Sequence, residues 1–309
     1  MNLGPITALC ASAVVAAIPL MQAGLGELVT EKSGVLNLGV EGMMLMGAVS
    51  GYAALTMTGN PWIGLAAGAV AGLLMSALFG VLTLVLLANQ VATGLSLTIF
   101  GIGLSAYIGK PYTSASVPIT VATMPIPGLS QIPVIGPAIF SRTPVDYLTV
   151  VLFIVVGLFL YRSRAGLVLR AVGESPGVAH SVGHPVLAVR FAATLFGGAM
   201  AGLAGGYYTI IRLHGWQENI TAGSGWIALA LVVFATWRPG RLIVGALLFG
   251  FVMTLQFYGQ VLGIAVPTQF LAMLPYLATV VVLVVISRNR NTIKLNSPAS
   301  LGKPFFAGN

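Results

Sequence analysis

Apolar runs of about 18 or more residues recur along the whole chain, and they constrain the fold more than any other feature. As a helix, each run is long enough to cross a hydrocarbon core of roughly 30 Å. A soluble domain is excluded because 57% of residues are hydrophobic, 6% are charged and the mean hydropathy is +0.98. A membrane barrel would instead show segments of roughly 10 residues with alternating polarity. We therefore predict an all-α, polytopic helical membrane protein, with one transmembrane domain over residues 1–309.

The runs predict about nine (eight to ten) transmembrane helices. Their predicted ranges are 5–29, 35–57, 62–88, 91–109, 145–161, 190–211, 223–237, 242–263 and 271–287. The seventh is short for a full crossing, which predicts a broken or re-entrant segment. The start of the second, near residues 36–42, is predicted to be interrupted in the same way.

The basic residues fall mainly on one side of the membrane when these spans are threaded in order. Of the 14 lysines and arginines, only Lys110, Arg142 and Arg212 fall on the other side. The positive-inside rule then places the N-terminus outside and the C-terminus inside the cell. The basic residues of the predicted cytoplasmic side are Lys32, Arg162, Arg164, Arg170, Arg190, Arg238, Arg241, Arg288, Arg290, Lys294 and Lys303. Because they lie in short connections, they predict topology and not a nucleic-acid partner.

Three connecting segments stand out in this orientation: an external loop at 110–144, a cytoplasmic loop at 162–190 and a cytoplasmic tail at 288–309. In the cytoplasmic loop, Ser175 and Pro176 predict a helix start, since serine suits the N-cap and proline the first helical position. A glycine at 183 predicts the end, so a short helix is expected at about 176–182. Such a helix can transmit force from a soluble motor, although a connector that touches only lipid head groups fits the arginines equally well.

Two internal patterns bear on packing and symmetry. Small residues recur every four positions at Gly64, Gly68, Gly72, Ser76 and Gly80, and again at Gly198, Gly202 and Gly206. This spacing predicts closely packed helices, which form either a static bundle, the favoured interpretation, or a mobile gate. Residues 40–80 and 223–259 also resemble each other, with X-Pro turns at Asn60-Pro61 and Arg238-Pro239 on opposite sides. This pair predicts an inverted repeat, which is common in transporters.

Four residues are candidates for a substrate pathway: Asn37, Glu41, Trp226 and Gln256. A carboxylate within a membrane span costs at least about 2.5 kcal/mol to insert, so Glu41 must face a cavity or have a partner. It is expected either to bond to backbone where the helix breaks near 37–42 or to contact substrate, and a proton relay is least favoured. Gln256 can line a polar path or bond to a neighbouring helix. Trp226 can stack on a sugar ring or base, or mark the membrane interface.

Residue types suited to catalysis are scarce. His180, His184 and His214 are the only histidines, Cys10 is the only cysteine, and no metal-binding or hydrolytic spacing occurs. We expect a non-catalytic transport subunit with no cofactor and no metal. Energy for active transport would then come from another subunit or from an ion gradient.

Three segments together resemble a known family: EKSGVLNLGVEGMMLMGA at 31–48, RAVGESPGVAHSVG at 170–183 and GSGWIALALVVFATWRPG at 223–240. They are similar to permeases of bacterial ABC importers, in the ribose/branched-chain amino acid class and, within it, the nucleoside and simple-sugar group. The resemblance implies alternating access in the bacterial cytoplasmic (inner) membrane, driven by a cytoplasmic ABC ATPase. It also implies a second permease subunit, typically non-identical, and an external substrate-binding lipoprotein or periplasmic protein.

The segment 170–183 resembles the coupling helix that fits a groove of the ATPase. The positions that match this motif are Gly173, Glu174, Ala179 and Gly183. The chain departs from the motif at His180 and at His184-Pro185, where small, basic or aliphatic residues are expected, so the fine contacts differ. The role of the segment in coupling is unaffected by this difference.

The function implied is therefore a permease subunit of an ATP-driven importer for nucleosides or a related simple sugar. Two alternatives stay open. A gradient-driven secondary transporter needs titratable groups in the membrane, and Glu41 is the one candidate. A membrane-anchor subunit of an enzyme complex, such as a quinone-linked one, would favour paired intramembrane histidines, which the sequence lacks.

Overall fold

The computed structural model describes residues 4–113, 119–261, 268–287 and 296–306. Its helices are α1 (Gly4–Lys32), α2 (Val40–Thr58), α3 (Pro61–Gly80), α4 (Gln90–Gly109), α5 (Ile135–Ile139), α6 (Pro144–Arg162), α7 (Arg164–Glu174), α8 (Pro176–Ser181), α9 (Val186–Tyr207), α10 (Ser224–Phe234), α11 (Pro239–Val261) and α12 (Thr268–Ser287). Two short strands, β1 (Met124–Pro125) and β2 (Ser141–Arg142), pair antiparallel. The described part of the chain is thus mainly helical with almost no strand, which confirms the all-α prediction. The predicted cytoplasmic residues Arg288, Arg290 and Lys294 lie outside the described residues.

A helix occupies each of the nine predicted spans. Within the described residues, six segments are long and apolar enough to cross a membrane: Ile6–Lys32, Pro61–Val85, Gln90–Tyr112, Pro144–Arg162, Val186–Arg212 and Pro239–Gln256. The seventh predicted span is the short helix α10, and α2 begins only at Val40, after a non-helical stretch. Both features agree with the predictions that the seventh span is short for a full crossing and that the start of the second is interrupted. The total number of crossings stays a prediction.

Helix α9 lies at the centre of the bundle, where it packs against α1, α2 and α3. The glycine stripes make this packing possible. A Cβ at Gly72 would collide with the carbonyl oxygen of Gly198 and lie 2.6 Å from the nitrogen of Gly202. The predicted close approach of small-residue helices is confirmed, since backbone touches backbone where the hydrophobic effect supplies no drive for association.

The bundle has two distinguishable ends. At one end, the Arg190 side chain near the start of α9 bonds to the backbone of Ser33, just after α1. At the other end, the Tyr207 hydroxyl at the end of α9 donates to Asp146 Oδ1 at the start of α6, over 2.6 Å. We call the first the basic end, because the described arginines of the 162–190 segment lie there. The two X-Pro turns of the proposed inverted repeat lie at opposite ends, as such a pair requires, and the repeat itself stays a prediction.

The connection between α4 and α6 folds over the end opposite the basic end. Arg142 in β2 is largely buried, and its guanidinium donates to the carbonyl oxygens of Ala138 and Pro137, each over 2.7 Å. Asp146 closes a capping box by accepting from the Thr143 backbone nitrogen. The described part of the predicted external loop is therefore an ordered structure with its own hydrogen bonds.

The glycine contacts lead to a first prediction. Gly72→Ala places a methyl group against the α9 backbone, and we expect it to destabilise the protein by about 1–3 kcal/mol through overpacking. Thermal unfolding of the purified protein in detergent measures this. Gly157→Ala in α6 is the matched control, since a Cβ there meets nothing within 4 Å. Equal stability of the two variants would contradict the packing described above.

Candidate functional site

Helix α8 is a short, firmly terminated helix at the basic end. Pro176 occupies its first position, and Gly183 follows it with a φ of 91°. The Gly183 nitrogen donates to the His180 carbonyl oxygen (2.9 Å) and the His184 nitrogen to that of Ala179 (3.0 Å), which is a Schellman motif. The observed range Pro176–Ser181 agrees with the predicted helix at about 176–182. Both ends were predictable because proline favours the first position of a helix and a glycine with positive φ ends one, whatever the tertiary contacts.

The two faces of α8 differ in what they contact. Ala179 is buried in a small apolar cluster with Val172 and Val186. On the outward face, Val178 and Val182 leave 63% and 71% of their side chains exposed. Two exposed valines beside polar and basic residues form an apolar surface that is suited to contact another protein.

The residues matched to the coupling motif do not all lie on this outward face. Gly173 is buried, and a Cβ there would collide with the Lys32 carbonyl oxygen. Ala179 is also buried, so both are spacers that let α7 and α8 sit close to the bundle. Glu174 and Gly183 are exposed. Sequence reasoning missed the two outward valines, although an apolar residue in a polar loop is a usable signal for them.

Arg190 ties the basic end together from within the bundle. Only 1% of its side chain is exposed. Its Nε donates to the Ser33 carbonyl oxygen (3.2 Å), its Nη1 to that of Lys303 (3.0 Å) and its Nη2 to Ser300 Oγ (2.9 Å). The sequence assigned Arg190 only a topological role, whereas the structure gives it three partners from two distant segments. Two of these partners belong to residues 296–306, which we call the C-terminal strap.

The C-terminal strap bonds to both segments that flank the Arg190 side chain. The Ser300 nitrogen donates to the Gly173 carbonyl oxygen at 3.0 Å, and the Gly302 nitrogen donates to that of Gly34 at 3.1 Å. Further along, Phe305 packs against the Val172–Ala179–Val186 cluster, with its ring centroid 5.6 Å from that of His180. The strap therefore fastens α7 and α8 to the bundle.

Glu41 makes the second polar junction, deep in the protein. Its side chain is 2% exposed. Oε1 accepts from the Thr221 hydroxyl (2.5 Å) and the Gly223 nitrogen (2.9 Å), and Oε2 accepts from the Gly225 nitrogen (2.5 Å). These donors surround the start of α10, where a helix dipole favours a negative charge. The carboxylate does bond to backbone at a helix break, but the break is that of α10 and not the expected stretch at 37–42.

A cavity of about 390 Å³ lies on the other side of this junction. Its polar and aromatic wall consists of Tyr208, Arg212, Gln217, Thr221, Ser224 and Gln256, and its apolar wall includes Ile227 and Met253. The Arg212 guanidinium lies 4.9 Å from the Tyr208 ring centroid, and the Tyr208 hydroxyl is 2.6 Å from Ser224 Oγ. The wall thus offers hydroxyl, amide and guanidinium groups to a bound molecule.

The four predicted pathway residues are not gathered at one place. Gln256 lines the cavity, and Glu41 lies behind its wall because Thr221 both lines the cavity and donates to Glu41. Asn37 is fully buried at the break between α1 and α2, where its Oδ1 accepts from the Gly39 nitrogen at 2.9 Å. Trp226 is 36% exposed and does not line this cavity. Whether each of the four contacts substrate stays a prediction.

In the described part of the chain, no group of three His, Cys, Asp or Glu side chains is arranged to hold a metal ion.

The chain is similar to permease subunits from both archaea and bacteria. It is 40% identical to the putative glucose ABC transporter permease protein TsgC13 of Haloferax volcanii, over 93% of this chain and 94% of that protein. It is 33% identical to the nucleoside ABC transporter permease protein NupC of Lactococcus lactis (88% and 90%) and 30% identical to the guanosine ABC transporter permease protein NupQ of Bacillus subtilis (96% and 95%). No solved structure matches the chain.

A family model described as the permease component of branched-chain amino acid transport systems matches residues 9–286. That range includes the glycine-packed core, α8 and the Glu41 junction. Members of this family are transport subunits and not catalysts, and they are multi-pass membrane proteins. The chain therefore belongs to the family of branched-chain amino acid transport system permease components.

Proposed function

We propose that this protein is the permease subunit of an ATP-driven importer for nucleosides or simple sugars. The observation that carries the proposal is the exposed apolar face of α8 at the basic end, in a member of a permease family. The names of the relatives, which specify glucose, nucleosides and guanosine, support the solute class. Because those relatives are named ABC transporter permeases, an ATPase partner is favoured over a gradient-driven mechanism and over an enzyme anchor.

The proposal includes an orientation and a set of partners. The basic end faces the cytoplasm and the N-terminus faces outward, since lysine and arginine accumulate on the cytoplasmic side of membrane proteins. An ABC ATPase docks on α8 from the cytoplasm. A second, non-identical permease completes the pathway, and an external lipoprotein or periplasmic protein delivers the solute. The protein is a multi-pass protein of the cytoplasmic membrane, with one transmembrane domain.

Coupling follows a continuous set of contacts from α8 to the cavity. Movement of α8 acts on α7, and Gly173 of α7 packs directly on the backbone of Lys32 and Gly34. The chain leads from there into α2, where Glu41 holds the start of α10. Since the start of α10 forms part of the cavity wall, displacement of α8 changes the shape of the cavity. This is the alternating-access step that ATPase closure drives.

The cavity is the proposed solute site. A nucleoside or sugar is neutral and rich in hydroxyl groups, and the cavity presents amide and hydroxyl partners for such groups at Gln217, Gln256 and Ser224. We assign direct contact to Gln256 and a positioning role to Glu41, whose oxygens are already occupied by three donors. Asn37 and Trp226 remain candidates for other stages of the pathway.

The docking face gives a second prediction. Val178→Glu should lower ATP-dependent uptake by more than about tenfold and weaken co-purification with the ATPase, because a carboxylate would be buried without a partner in the interface. Uptake is measured in proteoliposomes that contain the whole importer. The control is Lys303→Glu, which adds negative charge at the exposed strap on the same end. Full uptake by Val178→Glu would exclude α8 as the docking element.

The C-terminal strap gives a third prediction. Phe305→Ala removes the ring that covers the α8 cluster, and we expect several-fold lower uptake with faster hydrogen exchange of the amides at 173–183. The neighbouring variant Phe306→Ala should leave both unchanged, since that side chain is 53% exposed. If both variants behave alike, the strap does not hold α8.

The cavity gives a fourth prediction. Gln256→Leu removes an amide partner, and we expect KM for uptake to rise about tenfold, which corresponds to the loss of one or two hydrogen bonds. Leu255→Ala on the same helix should leave KM unchanged, because Leu255 is 41% exposed and does not line the cavity. An unchanged KM for Gln256→Leu would remove this residue from the pathway.

A further inference from the structure

Four cationic side chains meet in one cavity at the basic end. The cavity has a volume of about 640 Å³ and lies between the end of α1, helix α7, the start of α11 and the first residue of the C-terminal strap. Lys32, Arg170, Arg238 and Arg241 line it, and Glu174 is the one acidic residue in its wall. Four positive charges against one negative charge leave an excess of three. We call this cavity the basic pocket.

Three of the cations in the basic pocket donate hydrogen bonds to neutral groups. Lys32 Nζ donates to the Asn296 carbonyl oxygen at 2.8 Å, and Arg238 Nε donates to the Asn296 side chain at 3.4 Å. Arg241 Nη1 donates to the Thr236 hydroxyl at 2.8 Å. None of these hydrogen bonds neutralises a charge. Glu174 attracts Lys32, but one carboxylate offsets only part of the repulsion among four cations.

Arg170 provides a second and independent observation. Its guanidinium carbon lies 5.3 Å from the centroid of the Tyr161 ring, so the ring holds the group at the wall of the pocket. Its Nε is buried, yet among the described residues it has no hydrogen-bond partner. A buried guanidinium nitrogen without an acceptor is costly, and an anion that enters the pocket would supply that acceptor.

The chain has no spare acidic residue to fill the pocket. Its sequence contains six acidic residues, and no Asp or Glu occurs after Glu218. Glu31 precedes Lys32 in the chain, but it is buried, accepts from the Trp237 indole and does not line the pocket. The other four outside the pocket are Glu27 and Glu41, which are buried in the bundle, Asp146, which bonds to Tyr207, and Glu218, which is exposed. No Asp or Glu side chain outside the pocket is therefore placed to compensate its excess positive charge, and an anion from another molecule would do so.

We propose that the basic pocket binds a phosphate group, supplied by the headgroup of an anionic phospholipid. Arginine forks match the geometry of phosphate oxygens, and basic pockets at the ends of membrane helices suit anionic headgroups. Tyr161 of α6 lines the pocket, and Ile154, Leu158 and Tyr161 on this helix are exposed, so acyl chains can pack against them. The proposal holds for either orientation of the basic end, because phospholipid headgroups lie at both faces of the membrane. It does not depend on transport or on docking at α8.

Binding at this site would strengthen the junction already described. Asn296 begins the C-terminal strap, and Arg170 and Glu174 belong to α7. A phosphate group between them replaces repulsion by attraction among α1, α7, α11 and the strap. The lipid therefore acts as a stabiliser of the unit that carries α8.

The test uses the purified full chain in neutral detergent. Thermal unfolding is followed while dioctanoyl phosphatidylglycerol, dioctanoyl phosphatidylcholine or inorganic phosphate is added. At about tenfold excess over Kd, phosphatidylglycerol should raise Tm by about 2–4 °C, whereas phosphatidylcholine should not. The double variant Arg170→Gln/Arg238→Gln should lose the shift. The matched control Arg162→Gln/Arg164→Gln, which removes two exposed arginines of the same end that do not line the pocket, should keep it.

The possible outcomes separate the proposal from its rivals. A shift with phosphatidylglycerol alone supports the lipid source, and a shift that inorganic phosphate reproduces supports the phosphate site with a free ion as its ligand. Equal Tm shifts for Arg170→Gln/Arg238→Gln and Arg162→Gln/Arg164→Gln would show that the lipid responds to diffuse surface charge. That result would overturn the site. If Arg170→Gln/Arg238→Gln does not fold, Arg241→Gln alone serves instead, with a smaller shift expected. If Arg170→Gln/Arg238→Gln keeps the full shift with phosphatidylglycerol, the pocket does not bind the headgroup and the proposal is overturned.

Discussion

A charged or polar group inside a hydrocarbon layer must find its partners within the protein, and the arrangement of this fold depends on that constraint. Glu41 meets it with one hydroxyl and two backbone nitrogens at the start of α10. Arg190 meets it with two carbonyl oxygens and a hydroxyl. Each side chain bonds to backbone groups next to a helix end, where these groups lack partners within the helix. The breaks in the apolar spans are therefore sites where distant parts of the chain are joined.

Between these junctions the bundle is held by close backbone contact. The glycine stripes let α3 and α9 touch along their length, and residues such as Gly72 and Gly198 leave no room for a Cβ on either side. Tight packing of this kind transmits displacement, because interfaces that cannot compress move as units. The segments outside this helix packing are the non-helical stretches at 33–39 and 213–223. Each of them ends at the Glu41 junction.

The part of the fold that could be predicted from the sequence is the part that local chemistry determines. Apolar length located the helices, and Pro176 and Gly183 defined α8 within a residue, because each acts on its own backbone. The outward direction of Val178 and Val182 depends on how α8 packs, and the bonds of Arg190 join residues more than a hundred positions apart. Glu41 combines a feature that the sequence predicts with one that only the tertiary structure determines. Its need for a cavity or a partner followed from its place in an apolar span, but the identity of the partner was set by the tertiary arrangement.

The path from α8 to the cavity has a physical consequence for how the two ends communicate. Gly173 packs on the backbone at Lys32 and Gly34, and the strap bonds to both Gly173 and Gly34, so this contact is fastened from two sides. In the proposed mechanism, a push on α8 passes through this contact into the stretch at 33–39. That stretch leads to Glu41, which holds the wall of the cavity by charge-assisted hydrogen bonds rather than by apolar packing. In the proposed mechanism, this junction is therefore the point where a movement of α8 would change access to the cavity, because it depends on a few directional bonds to the start of α10.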